Sequence, residues 1–154
     1  MKVSGLFRAA IPALVASAAL ALAGCETMSS MWDSTKAVFR GSNVTLSGAE
    51  EAPSVTTPGS GSGTITVKDD KSVSGSVTIT GFTATAAHIH MAAAGRNGAV
   101  IVPLTKSSDG NTWSVSAGAK LTDAQYDAYK AGNLYVNVHS AANKGGEVRG
   151  QLKP

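Results

Sequence analysis

Cysteine is almost missing from this chain: Cys25 is the only one in 154 residues, so no internal disulfide can form and a folded domain must rely on its core. Aromatic residues are scarce too, at 5% of the composition, and Lys and Arg form no cluster. With neither an electrostatic stripe nor a stacking platform, nucleic acid is excluded as a partner. Glycine is plentiful, but Gly59-Ser60-Gly61-Ser62-Gly63 lacks the Lys and the following helix of a phosphate loop, and reads as a flexible loop. No Ser, His and acid can be ordered into a hydrolytic triad, so no catalytic residue is assigned.

What is present begins with an export signal. Lys2 and Arg8 precede an apolar run from Ala9 to Ala21 that is broken only by Pro12 and Ser17, the layout of a secretory signal and too short to cross a bilayer. The run ends in Leu22-Ala23-Gly24-Cys25, which resembles the bacterial lipobox. Residues 1–24 are therefore expected to be removed as a signal peptide, with Cys25 lipidated and the remainder anchored to a membrane. Glu26 stands where an Asp would favour inner-membrane retention in similar lipoproteins. The expected location is the outer membrane facing the periplasm, or the cell surface. Without Lys2 and Arg8, the 13 basic residues fall to 11 against 10 acidic ones, so the mature chain is nearly neutral. Asn43-Val44-Thr45 fits a glycosylation pattern that has no meaning in a bacterial cell.

Residues 25–42 read as the lipidated Cys25 and a tether. Met28, Met31, Trp32, Thr35, Val38 and Phe39 share one side at helical spacing, which suits either a short amphipathic helix on the membrane or a partly ordered linker. From Asn43 to Pro154 the pattern changes to short alternating segments divided by Gly, Pro, Ser and Asp, as a single all-β domain requires. Strands are expected near 43–47, 63–68, 72–80, 85–91, 99–104, 112–117, 134–139 and 147–152. One helix is expected over 123–131, with Thr122 as N-cap, Gln125 completing a capping box, Leu121 and Tyr126 as a hydrophobic staple, and Gly132 as its stop.

All three histidines lie at strand ends. Residues at i and i+2 of a strand share a face, so His88 and His90 project together while Ile89 goes to the core. By the same rule Leu134, Val136 and Val138 point inward, and Tyr135, Asn137 and His139 outward to solvent. Val148 and Leu152 point inward, and Glu147, Arg149 and Gln151 outward. A simple hairpin register then sets His139 opposite Glu147 and Asn137 opposite Arg149. If the strand of His88 and His90 lies beside this hairpin, three neutral imidazoles can hold copper or zinc, with Glu147 as a fourth ligand or as the partner of the outer nitrogen of His139. A hydrogen-bonded surface cluster without metal fits the pattern equally. Met91 is assigned to core packing rather than copper ligation, and Arg96 and Lys106 to solvent.

Leu46-Ser47-Gly48-Ala49-Glu50-Glu51-Ala52-Pro53, Gly63-Thr64-Ile65, Ala87-His88-Ile89-His90 with Gly95 and Gly98, Tyr135-Val136-Asn137-Val138-His139 and Gly145-Gly146-Glu147-Val148-Arg149-Gly150-Gln151-Leu152 resemble, in order, the CHRD domain. The resemblance implies an antiparallel Greek-key β-sandwich, immunoglobulin-like or superoxide-dismutase-like, and no settled activity for microbial members. His88, His90 and His139 also resemble the copper half of Cu,Zn superoxide dismutase, although the chain lacks the further histidines of a zinc site and the disulfide. Three functions stand side by side at this point: a membrane-tethered metal-binding module, a metal-free structural module contacting another envelope protein, and a dismutase-like metalloenzyme.

Overall fold

The computed structural model describes residues 41–154. The expected signal peptide, Cys25 and the tether up to residue 40 lie outside the described residues. Eight strands and one helix follow in order: β1 (Gly41–Ser47), β2 (Ser60–Val67), β3 (Val73–Thr80), β4 (Ala84–Met91), β5 (Ala99–Lys106), β6 (Thr112–Val115), α1 (Asp123–Lys130), β7 (Leu134–Ser140) and β8 (Val148–Gln151). The strands pair antiparallel in the order β1-β2-β3-β6-β5-β4-β7-β8, and Ser47 opposite Arg149 closes the ring. The architecture is thus a closed all-β barrel with one short helix, which corrects the expectation of a two-sheet Greek-key sandwich. Alternation in each strand is the same in either architecture, and the pairing of β1 with β8 decides between them.

Val44, Leu46, Ile65, Val67, Val77, Ile79, Ile89, Val102, Leu104, Val136, Val138 and Val148 all lie within the apolar core. The strand pattern of β3 follows its sequence: Val73, Val77 and Ile79 are buried, while Ser74, Thr78 and Thr80 are exposed. β2 differs from expectation, because it starts at Ser60 and takes in most of the glycine-rich segment read as a flexible loop. Gly61 pairs with Leu46 of β1 and Ile79 of β3, and a Cβ on Gly61 would lie 2.7 Å from Ile79 Cδ1 and 2.8 Å from Leu46 Cδ1. The glycine leaves interior space that its two large neighbours fill, a small-against-large match that a narrow barrel requires.

α1 carries the chain from β6 to β7. Thr122 accepts from Gln125 N, and the Gln125 side chain accepts from Thr122 N at 2.9 Å, so the capping box is formed. At the other end Gly132 N donates to Tyr129 O and Asn133 N to Ala128 O, both at 2.8 Å, with Gly132 at φ 72°. These two bonds satisfy the last carbonyls of the helix. Tyr129 is buried and its hydroxyl meets the Ser42 hydroxyl at 3.2 Å, which ties α1 to the first strand.

The outer face of β4, β7 and β8 is where expectation and structure part most. Tyr135, Asn137, Glu147 and Arg149 point out of the barrel, as alternation requires, yet all four are buried. Residues 48–58 and 92–98 fold over them: Arg149 donates to the carbonyls of Arg96 and Ala93, half-buried Gln151 donates to that of Ala92, and Asn97 donates to Ala52 O. Met91 is also corrected. It points away from the histidines but lies at the end of β4, 37% exposed rather than packed in the core.

Candidate metal centre

β4 and β7 are neighbours, with Ala86 opposite His139, His88 opposite Asn137 and His90 opposite Tyr135. His139 therefore faces an alanine, and its ring leans diagonally toward His88, within the reach of long side chains on adjacent strands. The register of β4 shifts between Ala84 and Ala86 on the β7 side and between Ile89 and His90 on the β5 side. Irregularities of this kind re-aim side chains and are common beside functional sites.

The three rings come together. Their centroids are 5.0 Å apart for His88 and His139, 5.6 Å for His88 and His90, and 6.1 Å for His90 and His139. One nitrogen from each lies within 4.8 Å of the others. His88 Nδ1 and His139 Nε2 stand 3.1 Å apart. Nitrogens held by one ion at about 2.0–2.1 Å lie roughly 3.3–3.5 Å from each other, so the pair at 3.1 Å is already near that spacing.

Hydrogen bonds assign the tautomers. His139 Nδ1 donates to Lys144 O at 3.0 Å, and His90 Nδ1 donates to Gly98 O at 2.9 Å. Both rings are thereby left with a bare Nε2 lone pair. That of His90 is buried and has no protein partner. His88 offers Nδ1, which without an ion donates to His139 Nε2. The nitrogens that could hold an ion are thus His88 Nδ1, His90 Nε2 and His139 Nε2, and two of the three rings are oriented by backbone carbonyls, the usual outer support of a metal-binding imidazole.

Glu147 takes neither role expected of it. Its carboxylate accepts from Ser140 Oγ and Asn143 Nδ2, both at 2.6 Å, and from Thr57 Oγ1, which hold its pKa below the usual value. The carbonyl of Lys144 occupies the position beside His139 Nδ1 instead. Asn137 and Arg149 are paired as the hairpin register requires. Asn137 Nδ2 donates to Gly145 O, and Arg149 lies over the Tyr135 ring.

Electrostatics favour the neutral forms of His88 and His90. Burial lowers the pKa of His88, and the neighbouring His139 and His90 lower it further. For His90 burial is again the largest cause; the Gly98 hydrogen bond opposes it, while His139 and Arg149 add to it. A buried carboxyl that sequence reasoning did not single out shares this layer. Glu51 is raised to about 7, chiefly by burial, with Arg149 pulling it down and Glu147 pushing it up. The unpartnered oxygens Glu51 Oε1 and Asn137 Oδ1 both crowd Gly146, where a Cβ would lie 2.5 Å from each.

The site defines a class: an antiparallel β-barrel bearing a three-imidazole cluster on its outer face, beside a polar layer that two loops cover. The chain belongs to the CHRD domain family, whose description matches residues 42–152. No curated protein and no solved structure matches the chain.

Two pH effects of opposite sign are expected. The unfolded chain takes up protons on His88 and His90 near pH 6.5 while the folded chain resists them, so their contribution to stability is full above 6.5 and lost as pH falls below it. NMR titration of the metal-free protein should show both rings titrating below 6.5; ordinary values would contradict their burial. Glu51 acts the other way, its contribution being full below pH 4.5 and lost as pH rises through about 7. Glu51→Gln, which imitates the protonated acid, should gain stability over wild type at pH 8 and not at pH 4 in chemical denaturation; an equal effect at both would remove the buried proton.

Proposed function

We propose that this CHRD-domain protein is an exported lipoprotein of the cell envelope that binds copper or zinc through His88, His90 and His139. The observation that carries the metal reading is the convergence of three ring nitrogens from two strands. The unpartnered, buried Nε2 of His90 adds to it, since a buried nitrogen lone pair without a partner is costly. His90 is buried while His88 and His139 are half-buried, so the cluster opens toward solvent on their side. Three protein ligands with one open position suit an ion that also holds water or a small ligand.

A metal-free module that contacts another envelope protein has one observation in its favour. The 3.1 Å contact between His88 and His139 satisfies those two rings without an ion. His90 separates the readings, because only an ion or another donor engages its inner nitrogen.

The purified chain, titrated calorimetrically with Cu(I), Cu(II) and Zn(II), should take up one ion, and the variant with His88, His90 and His139 all changed to Ala should lose at least about 100-fold in affinity. Uptake by the variant as strong as that of wild type would end the metal reading and leave the metal-free module. The anchor reading is separate. Wild type should sediment with membranes and Cys25→Ser should appear in the soluble fraction; an unmodified wild-type mass at Cys25 would refute it.

A further inference from the structure

Arg149 is the largest of the fully buried side chains, at 1% exposure. Its Nη1 donates to Arg96 O at 2.8 Å, and its Nη2 to Ala93 O at 3.2 Å and Gln151 Oε1 at 3.3 Å. Every one of these acceptors is neutral. Among the described residues no carboxylate forms an ion pair with it. The carboxyl that feels it is Glu51, which Arg149 pulls down while burial holds it at about 7, so at neutral pH the guanidinium is only partly compensated. A buried cation compensated so incompletely is expensive, and apolar packing of similar volume would serve stability at least as well.

The guanidinium is directed toward the histidine cluster. Its central carbon lies 3.4 Å from the centre of the Tyr135 ring, and that ring stacks on His90 at 4.9 Å with planes 13° apart. Gly98 locks the arrangement from above: its N–H donates to the Tyr135 hydroxyl at 3.1 Å, and its carbonyl accepts from His90 Nδ1. Arg149, Tyr135 and His90 thus form one packed column of low dielectric, with a fixed positive charge at one end and a ring nitrogen of the cluster at the other. Of the acids in this layer, Glu147 is kept ionised by hydrogen bonds from Ser140, Thr57 and Asn143, and Glu51 is buried beside Asn137 and Gly146 within the field of Arg149. Arg149 is the permanent cation whose charge acts on His90.

We propose that Arg149, through the Tyr135 stack, makes the three-histidine centre prefer a monovalent ion to a divalent one, so that Cu(I) rather than Zn(II) is its resident metal. This rests on the metal reading above and goes beyond it by naming the charge of the ion. Repulsion from a fixed cation doubles when the bound ion carries two charges, and three neutral imidazoles supply no negative charge to offset it.

The test uses the full chain, with Ag(I) as a redox-silent monovalent probe and Zn(II) as the divalent one, in competition titrations at pH 7 normalised to free imidazole. Wild type should favour Ag(I) over Zn(II) more strongly than imidazole does. Arg149→Gln should reduce that preference by about tenfold or more, the ratio equivalent to 1.4 kcal/mol. Arg149→Lys should stay near wild type. A folded Arg149→Gln chain with an unchanged ratio would overturn the proposal, as would equal losses in the Gln and Lys variants, which would assign Arg149 to stapling the 92–98 segment alone. If neither variant folds, the wild-type ratio against imidazole decides, and a ratio no higher than that of imidazole overturns it. Failure of the metal reading is recognised separately, as wild-type uptake of either ion no stronger than in the triple-histidine variant.

Discussion

The pairing of β4 with β7 is the constraint on which the rest depends. One register sets Ile89 opposite Val136 inside the barrel and, on the other face, His88 opposite Asn137, His90 opposite Tyr135 and His139 opposite Ala86. A slip of one residue would send every one of these side chains to the wrong face. The apolar interior pins the register, because Ile89, Val136 and Val138 are almost wholly buried. The histidine cluster is therefore positioned by hydrophobic burial on the opposite side of the same strands, without any need for the imidazoles to stabilise the fold.

A second layer, polar and buried, lies outside the barrel on β4, β7 and β8. Glu51, His90, Asn137, Ser140, Glu147 and Arg149 all belong to it. It is held less by side-chain ion pairs than by backbone carbonyls of the covering segments: Arg96 and Ala93 for Arg149, Gly98 for His90, Lys144 for His139 and Gly145 for Asn137. Those carbonyls connect the geometry of the cluster to the conformation of its loops. Burial in this layer raises Glu51 and lowers His88 and His90, so both kinds of group are driven toward their neutral forms while Arg149 keeps its charge.

Much of the fold was legible because alternation and capping are local. Val77 and Ile79 alternate with exposed threonines, Thr122 and Gln125 sit three residues apart, and the histidines share a strand face at i and i+2. The glycine-rich start of β2 was not legible as strand. Glycine carries no side chain to show alternation, and the reason for Gly61 lies in Leu46 and Ile79, on two other strands. The role expected of Glu147 failed for a similar reason. Adjacency across a hairpin says which residues can meet, but Thr57, 90 positions away in the chain, competes for the carboxylate.

The amino-acid order by itself determined most strand segments, where the single α-helix starts and stops, and which side chains share a face, since those properties depend on residues within a few positions of one another. Tertiary structure alone decided that the sheet closes into a barrel, that its outer polar face is buried, and that His90 and His139 turn their ε-nitrogens inward. Each of these depends on contacts such as Ser47 with Arg149 or Arg149 with the Arg96 carbonyl, which join residues far apart along the chain and leave no periodic trace in it.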